Sequence, residues 1–331
     1  MIEQFGTTKD GEQVDVITIA SDDLSVKILT LGAIIHDVRL GGVDHPLTLG
    51  ALDVAAYQGP LSSFGSLIGP VVNRIKDCTA DIKGQTYTFE KHHSGNLTQH
   101  SGSTGTHKQI WNIKDRGADH VTLTLKLPDG LGGFPGNRFV TAAYVVDGAA
   151  LRLTVTATTD AATLMNFANH SYWSLDPTLG FAGQTLTVHA DQYTETDDSI
   201  IPTGRVLDVS GTQYDLRDGV TLTGDATQFF DWNLCTADAR GPLRPVAELR
   251  GTGGVSMVMS STEAGLQVYD CGTINAPDFA THHGQPYLNY SGLALEAQSW
   301  PGAERHDTFP TIELSADQAY EQVTQWAFSS T

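Results

Sequence analysis

The chain is poor in cysteine, poor in positive charge and free of long apolar runs. Cys78, Cys235 and Cys271 are odd in number, far apart and in no metal-ligand spacing, which argues for reduced thiols rather than a disulfide framework. Only 19 Lys and Arg stand against 38 acidic residues, a formal net charge of −19. Such a field repels nucleic acid and anionic membrane, whose binding rests on clustered basic side chains, but leaves a neutral, hydroxyl-rich ligand free to bind. No stretch approaches the roughly 18 uninterrupted apolar residues of a membrane helix. The opening Met1-Ile2-Glu3-Gln4-Phe5-Gly6 has neither the basic nor the apolar region of a secretory signal, so the expected location is cytoplasmic.

Several chemistries lack their signatures. There is no Gly-x-Ser-x-Gly elbow for a serine nucleophile. Gly130-Leu131-Gly132-Gly133 is followed by no Lys-Ser/Thr pair, so it is not a phosphate cradle. His92-His93 and His282-His283 are adjacent pairs, and neighbours on a strand point to opposite faces, so neither reads as one metal site. No metal or cofactor is expected.

What the chain has is strand signal. Val121–Leu127, Leu151–Thr156, Thr185–Val188 and Val255–Met259 alternate apolar and polar residues, so each can bury one face. Between such runs lie turn clusters, including Pro128-Asp129-Gly130, Asp147-Gly148 and Gly251-Thr252-Gly253-Gly254. No segment sustains a 3.6-residue apolar period; Ser315–Tyr320 comes nearest and reads as a loop entering the last strand. With no fixed-period repeat or long linker, residues 1–331 read as a single all-β domain, a large antiparallel β-sandwich.

Five islands carry functional information: Asn73-Arg74-Ile75, Gly95-Asn96-Leu97-Thr98-Gln99-His100, Asn169-His170-Ser171-Tyr172, Phe230-Asp231-Trp232-Asn233 and Leu293-Ala294-Leu295-Glu296-Ala297-Gln298. Taken in order, they resemble the aldose 1-epimerases (galactose mutarotases), and the resemblance runs to the final Thr324–Phe328 strand. In that family an N-R-I turn, a G-x-N-x-x-H loop, an N-H-S-Y strand, an Asp and an L-E-x-Q strand line one sugar cleft on a single large β-sandwich.

Mutarotation opens a cyclic hemiacetal, lets C1 rotate and recloses the ring on its other face. The anomeric hydroxyl must lose a proton while the ring oxygen gains one, which calls for a general base and a general acid at the two ends of the O–C–O unit. A carboxylate and an imidazole suit these roles. Periodicity alone would leave Glu296 an ordinary solvent-facing carboxylate, since it points away from Leu293 and Leu295. His170 beside Tyr172 and Trp173 would be a packing histidine. The resemblance implies instead that Glu296 is the proton acceptor and His170 the proton donor, its pKa raised by a carboxylate such as Glu296 or Asp231.

The resemblance also implies hydroxyl-binding roles for Asn73, Arg74, His100, Asp231 and Gln267. Without it, Arg74 is a surface ion-pairing residue, His100 a loop histidine and Gln267 an outward residue on an alternating strand. Two departures bear on specificity. Gln99-His100-Ser101-Gly102 replaces the usual L-H-G-G, and Asp231-Trp232-Asn233-Leu234 replaces the usual D-H-x-F, so both its His and its Phe are changed. Tyr172 and Trp173 could face the sugar or the core.

The implied activity is cofactor-free interconversion of α and β anomers of a neutral monosaccharide by a monomer or homodimer that binds neither nucleic acid nor membrane. The competing readings are a catalytically silent sugar-binding domain, a hexose-6-phosphate 1-epimerase and a sandwich-fold glycan hydrolase or lyase. A glycosidase would need two opposed carboxylates across the scissile bond, whereas this set opposes Glu296 with a histidine.

Overall fold

The computed structural model describes residues 1–92 and 95–331, so His93 of the first histidine pair and Ser94 of the His100 loop lie outside the described residues. The alternation read from the sequence becomes strand pairing. In His120–Leu127, Val121, Leu123, Leu125 and Leu127 are buried while Thr122 and Thr124 stay partly exposed. This strand belongs to a nine-stranded antiparallel sheet, whose order is Asn112–Arg116, His120–Leu127, Arg138–Asp147, Ala150–Thr159, Tyr320–Ser330, Val255–Ser261, Arg244–Arg250, Thr185–Val188, Val220–Thr221. Ser315–Ala319 leads into its central strand without regular structure. The described residues include one short α-helix, Val54–Tyr57, whose first turn is capped by the Asp53 carboxylate accepting from the Ala55 N–H at 2.8 Å.

A six-stranded antiparallel sheet packs on the inner face of the larger one. Its order is Tyr172–Trp173, Leu293–Gln298, Gly265–Tyr269, Asp231–Cys235, Gln192–Thr196, Pro202–Asp208. Here the two-residue strand period separates core from function. Trp173, Leu293, Leu295, Leu266, Val268, Trp232 and Leu234 join the main apolar cluster with Leu123, Tyr144, Leu153, Met257 and Trp326 of the nine-stranded sheet. The alternate residues, Tyr172, Glu296, Gln267, Tyr269 and Asp231, line a cleft on the opposite face. Trp173 is therefore a core residue, packed near Trp326 and Phe328, and Tyr172 is the member of that pair at the cleft.

The strand-like run around His170 is broken. Ala168–Asn169 pairs with Leu67–Ile68, whereas Tyr172–Trp173 pairs with Leu293 and Ala294 in another sheet. At the break, His170 donates its N–H to Ser66 O at 2.9 Å and accepts from Gly65 N at 3.0 Å. Gly65 has φ +69°, and a Cβ there would collide with the Ile35 carbonyl, so the turn that seats His170 requires glycine. His282 and His283 lie in a turn rather than on a strand. They nevertheless face different partners: His282 packs edge-on against His36, and His283 Nδ1 lies 2.9 Å from the Tyr287 hydroxyl.

Candidate active site

Three adjacent strands set out the floor of the cleft. Gln267 is in register with Glu296 on one side and with Asn233 on the other, and Asp231 sits two residues before Asn233 on the same face. Gln267 donates from Nε2 to Asp231 Oδ1 at 2.7 Å, and Arg74 Nη2 lies 3.0 Å from Asp231 Oδ2. Arg74 is thus neither a surface ion-pairing residue nor a free cation: its partner is the floor carboxylate. Gln267 is buried and inward-facing.

Arg74 reaches the floor from a tight turn. Asn73 has φ +67°, and its Oδ1 accepts from the Arg74 backbone N–H at 2.9 Å and from Arg74 Nη1 at 3.4 Å. That oxygen is committed to shaping the turn, so only the amide NH₂ of Asn73 could serve a ligand. Arg74–Lys76 pairs with Leu97–Gln99, which brings His100 beside Asn73. The Asn73 backbone N–H donates to His100 Nδ1 at 3.2 Å. His100 is held in this way as the neutral tautomer with its proton on Nε2, a donor for a hydroxyl. Ser101, one of the departures in this loop, acts as a staple: its Oγ accepts from Val71 N and donates to Val71 O, both at 2.9 Å. Asn73, His100 and Ser101 all have positive φ, a clustering of backbone strain usual at functional sites.

His170 and Glu296 meet at the bottom, with Nε2 to Oε1 at 3.4 Å and side chains only 5% and 3% exposed. The His100 ring is centred 5.6 Å from that of His170. His170 Nδ1 and Glu296 Oε2 are both buried without a hydrogen-bond partner among the described residues. Each such orphan costs about 1–3 kcal/mol, which makes the pair a natural place for ligand hydroxyls.

Burial governs the electrostatics. It pushes Glu296 well above the ordinary carboxyl range, helped by the negative charge of Asp231 and opposed by Arg74. It pushes His170 down to about 4. The carboxylate neighbour is present as expected, but the desolvation penalty on the imidazolium outweighs it, so His170 is not raised. Burial lowers His100 well below its ordinary value too, with His170, His107, Arg74 and Lys108 adding repulsion.

The cleft has a volume of about 750 Å³ and brings together all seven expected residues. It also includes residues the sequence reading did not single out: His107, Tyr269 and Asp270 on the walls, and Lys91, Lys108 and Phe229 at the rim. Asp270 ties two walls, its carboxylate accepting from Phe230 N at 2.9 Å and Gly272 N at 2.8 Å. Trp232, which stands where a histidine is usual, points into the core rather than the cleft.

The chain matches the aldose 1-epimerase family model over residues 15–327. It is 30% identical to the galactose mutarotase of Homo sapiens, with 96% of this chain and 95% of that protein covered. It is 26% identical to the aldose 1-epimerase of Escherichia coli K12, with 96% of each covered. In fold it is similar to an aldose epimerase homologue from C. elegans (TM-score 0.88, 24% identity, 96% of this chain and 99% of that one). It is also similar to a galactose 1-epimerase from Lactobacillus acidophilus (TM-score 0.83, 22% identity, 100% and 98%).

Proposed function

This chain belongs to the aldose 1-epimerase family, and on that premise we propose that Glu296 and His170 exchange one proton pair with the hemiacetal of a bound sugar. The protein is a mutarotase that interconverts the α and β anomers of a neutral aldose. In ring opening, the Glu296 carboxylate takes the proton of the C1 hydroxyl while His170 gives one to the ring oxygen. The C1–O5 bond breaks, C1 becomes an aldehyde carbon, and rotation about C1–C2 exposes its other face. Closure runs the same transfers backwards: neutral His170 takes the O5 proton and protonated Glu296 returns one to O1.

The observation that carries this reading is the buried 3.4 Å pair with an unpartnered polar atom on each side chain. Between them the two groups hold a single proton in both halves of the cycle. With that proton on His170 the ring opens; with it on Glu296 the ring closes. The buried setting favours the uncharged arrangement, with the proton on Glu296. Ring opening therefore draws on the less favoured form in which His170 carries it, and the two groups titrate as one pair. Arg74, Asp231, Gln267, His100 and the amide NH₂ of Asn73 hold the hydroxyls.

We also read residues 1–331 as one domain, since the main apolar cluster takes side chains from Ile17 to Phe328. A reducing, cytoplasmic setting fits three unpaired, buried cysteines. Polarimetry of freshly dissolved α-D-glucose, α-D-galactose and α-D-glucose 6-phosphate tests the assignment. Acceleration of the free sugars supports it. Because Arg74 is neutralised by Asp231 and, among the described residues, the other Lys and Arg side chains of the cleft are the rim lysines Lys91 and Lys108, the phosphate should be the poorer substrate. Binding without acceleration would leave a silent sugar-binding domain, and a clear advantage for the phosphate would mark a hexose-6-phosphate epimerase.

A further inference from the structure

The row of side chains that carries the proposed chemistry continues past the cleft. Glu296 is in register with Gln267, and Gln267 with Asn233. On the next strand Tyr193 is in register with Leu234, which brings Thr194 beside Asn233 on the same face. Four adjacent strands thus line up Glu296, Gln267, Asn233 and Thr194. Glu296 and Gln267 face the cleft. Asn233 and Thr194 face a small cavity next to it, which shares Asn73, Arg74, Asp231 and Gln267 with the cleft. The space open to the centre of a water molecule there is about 10 Å³, enough for one water and too little for a sugar.

Thr194 Oγ1 and Asn233 Oδ1 are both without a hydrogen-bond partner among the described residues, in side chains only 2% and 1% exposed. The two do not bond each other, and the Asn233 amide nitrogen donates to Cys235 Sγ at 3.9 Å, a weak acceptor. The amide lies across Gly265, where a Cβ would collide with Asn233 Oδ1, so glycine leaves that oxygen its place. Asn233 Oδ1 needs a donor, and the Thr194 hydroxyl has a proton to give. The Asp231 carboxylate already accepts from Gln267 and pairs with Arg74, yet each of its oxygens keeps a second lone pair. One water satisfies all three groups. It accepts from Thr194 and gives its two protons to Asn233 Oδ1 and to Asp231. Three such bonds are usual for a buried water.

We propose that Thr194 and Asn233 are positioning residues, which bind one water against Asp231 and through it hold the carboxylate where it meets a sugar hydroxyl. The effect on turnover rests on the mutarotase reading; the water site does not. The test therefore has two arms. A high-resolution crystal structure of the wild type should show a water within hydrogen-bonding distance of Thr194 Oγ1, Asn233 Oδ1 and Asp231, and that of Thr194→Val should lack it. Polarimetry on α-D-galactose should give a KM raised about three- to tenfold in Thr194→Val, the worth of one hydrogen bond, with kcat changed by less than about twofold. Thr194→Ser should keep both the water and the wild-type KM. Valine keeps the shape of threonine without its hydroxyl, and serine keeps the hydroxyl without the methyl. A role in packing alone would make serine the worse variant. KM is unaffected by an inactive fraction, so partial misfolding cannot mimic the expected result. No water at this place in the wild type, a KM unchanged in Thr194→Val, or serine the worse of the two would overturn the inference alone. A wild type that accelerates neither galactose nor glucose would overturn the mutarotase reading and the positioning role with it, while the crystal structure would still decide the water site.

Discussion

Glu296 Oε1 and His170 Nε2 lie 3.4 Å apart, where both side chains are almost wholly excluded from solvent. At that distance a proton on either group is felt by the other, and burial pushes their pKa values past one another: His170 down to about 4 and Glu296 well up. The apparent values therefore belong to the pair. What matters for turnover is that it holds one proton, not none or two.

The rate should accordingly trace a bell against pH. Below about 4, His170 takes up a second proton and the form that closes the ring is lost. Above the raised pKa of Glu296, the shared proton leaves and the form that donates it is lost. Initial mutarotation rates, corrected for the spontaneous reaction at each pH, would show a plateau that begins above about 4 and ends at the raised pKa of Glu296. His170→Asn should lower kcat by on the order of 10²–10⁴. It should also move the acidic limb upward, since Glu296 alone would then have to be ionised. A limb left in place would remove His170 from the proton transfer.

Asp231 raises Glu296 through its charge. Asp231→Asn should therefore lower the Glu296 pKa, and the alkaline limb should shift to lower pH. Arg74→Lys probes the same group from the other side. A single ammonium cannot reproduce contacts from Nη2 to Asp231 and from Nη1 to Asn73 together. KM should rise about tenfold or more, with a smaller change in kcat, if these contacts hold the sugar rather than move its protons. An alkaline limb unmoved in Asp231→Asn would contradict the electrostatic link.

Stability should decline in mild acid because histidines are buried uncharged. His283 is pushed down to about 4 by burial, with His282, Arg39 and His45 adding repulsion and Asp37 opposing. In the unfolded chain it takes up its proton near pH 6.5; in the folded protein it does so only near 4. Its depressed pKa thus leaves stability intact above 6.5 and removes it progressively as pH falls towards 4. His283→Gln should flatten the loss between pH 6.5 and 4 by on the order of 2 kcal/mol, read as a shallower fall in Tm. An identical pH slope in the variant would show that this site does not titrate on unfolding.

Much of this was legible in the sequence because strand periodicity writes burial directly into residue order. Leu293 and Leu295 alternating with Glu296 place the carboxylate on the face opposite the core. What periodicity could not show is that this face is itself enclosed, so Glu296 is buried rather than wet. Enclosure comes from Ser62, Ser63, Asn73, Arg74, His100 and His107 on one side and from Asp270, Thr273 and Tyr290 on the other, which line the cleft from far along the chain. The same long-range packing makes Arg74 the partner of Asp231, whereas strand alternation places Trp232 in the core. His107 and Asp270 carried no local signal, because each acquires its role from segments distant in sequence or from backbone N–H groups. His170 is lowered rather than raised because proximity to a carboxylate is a local effect, whereas desolvation is a property of the whole fold and outweighs it.

The central claim is that Glu296 is the base, and the most direct measurement is kcat and KM for Glu296→Gln on freshly dissolved α-D-glucose and α-D-galactose. Glutamine keeps the size of the side chain and its hydrogen bonding but cannot accept the anomeric proton. The account predicts a fall in kcat on the order of 10²–10⁴ with a much smaller change in KM, and retained sugar binding by calorimetry. A kcat close to that of the wild type would contradict it and leave Glu296 a structural carboxylate.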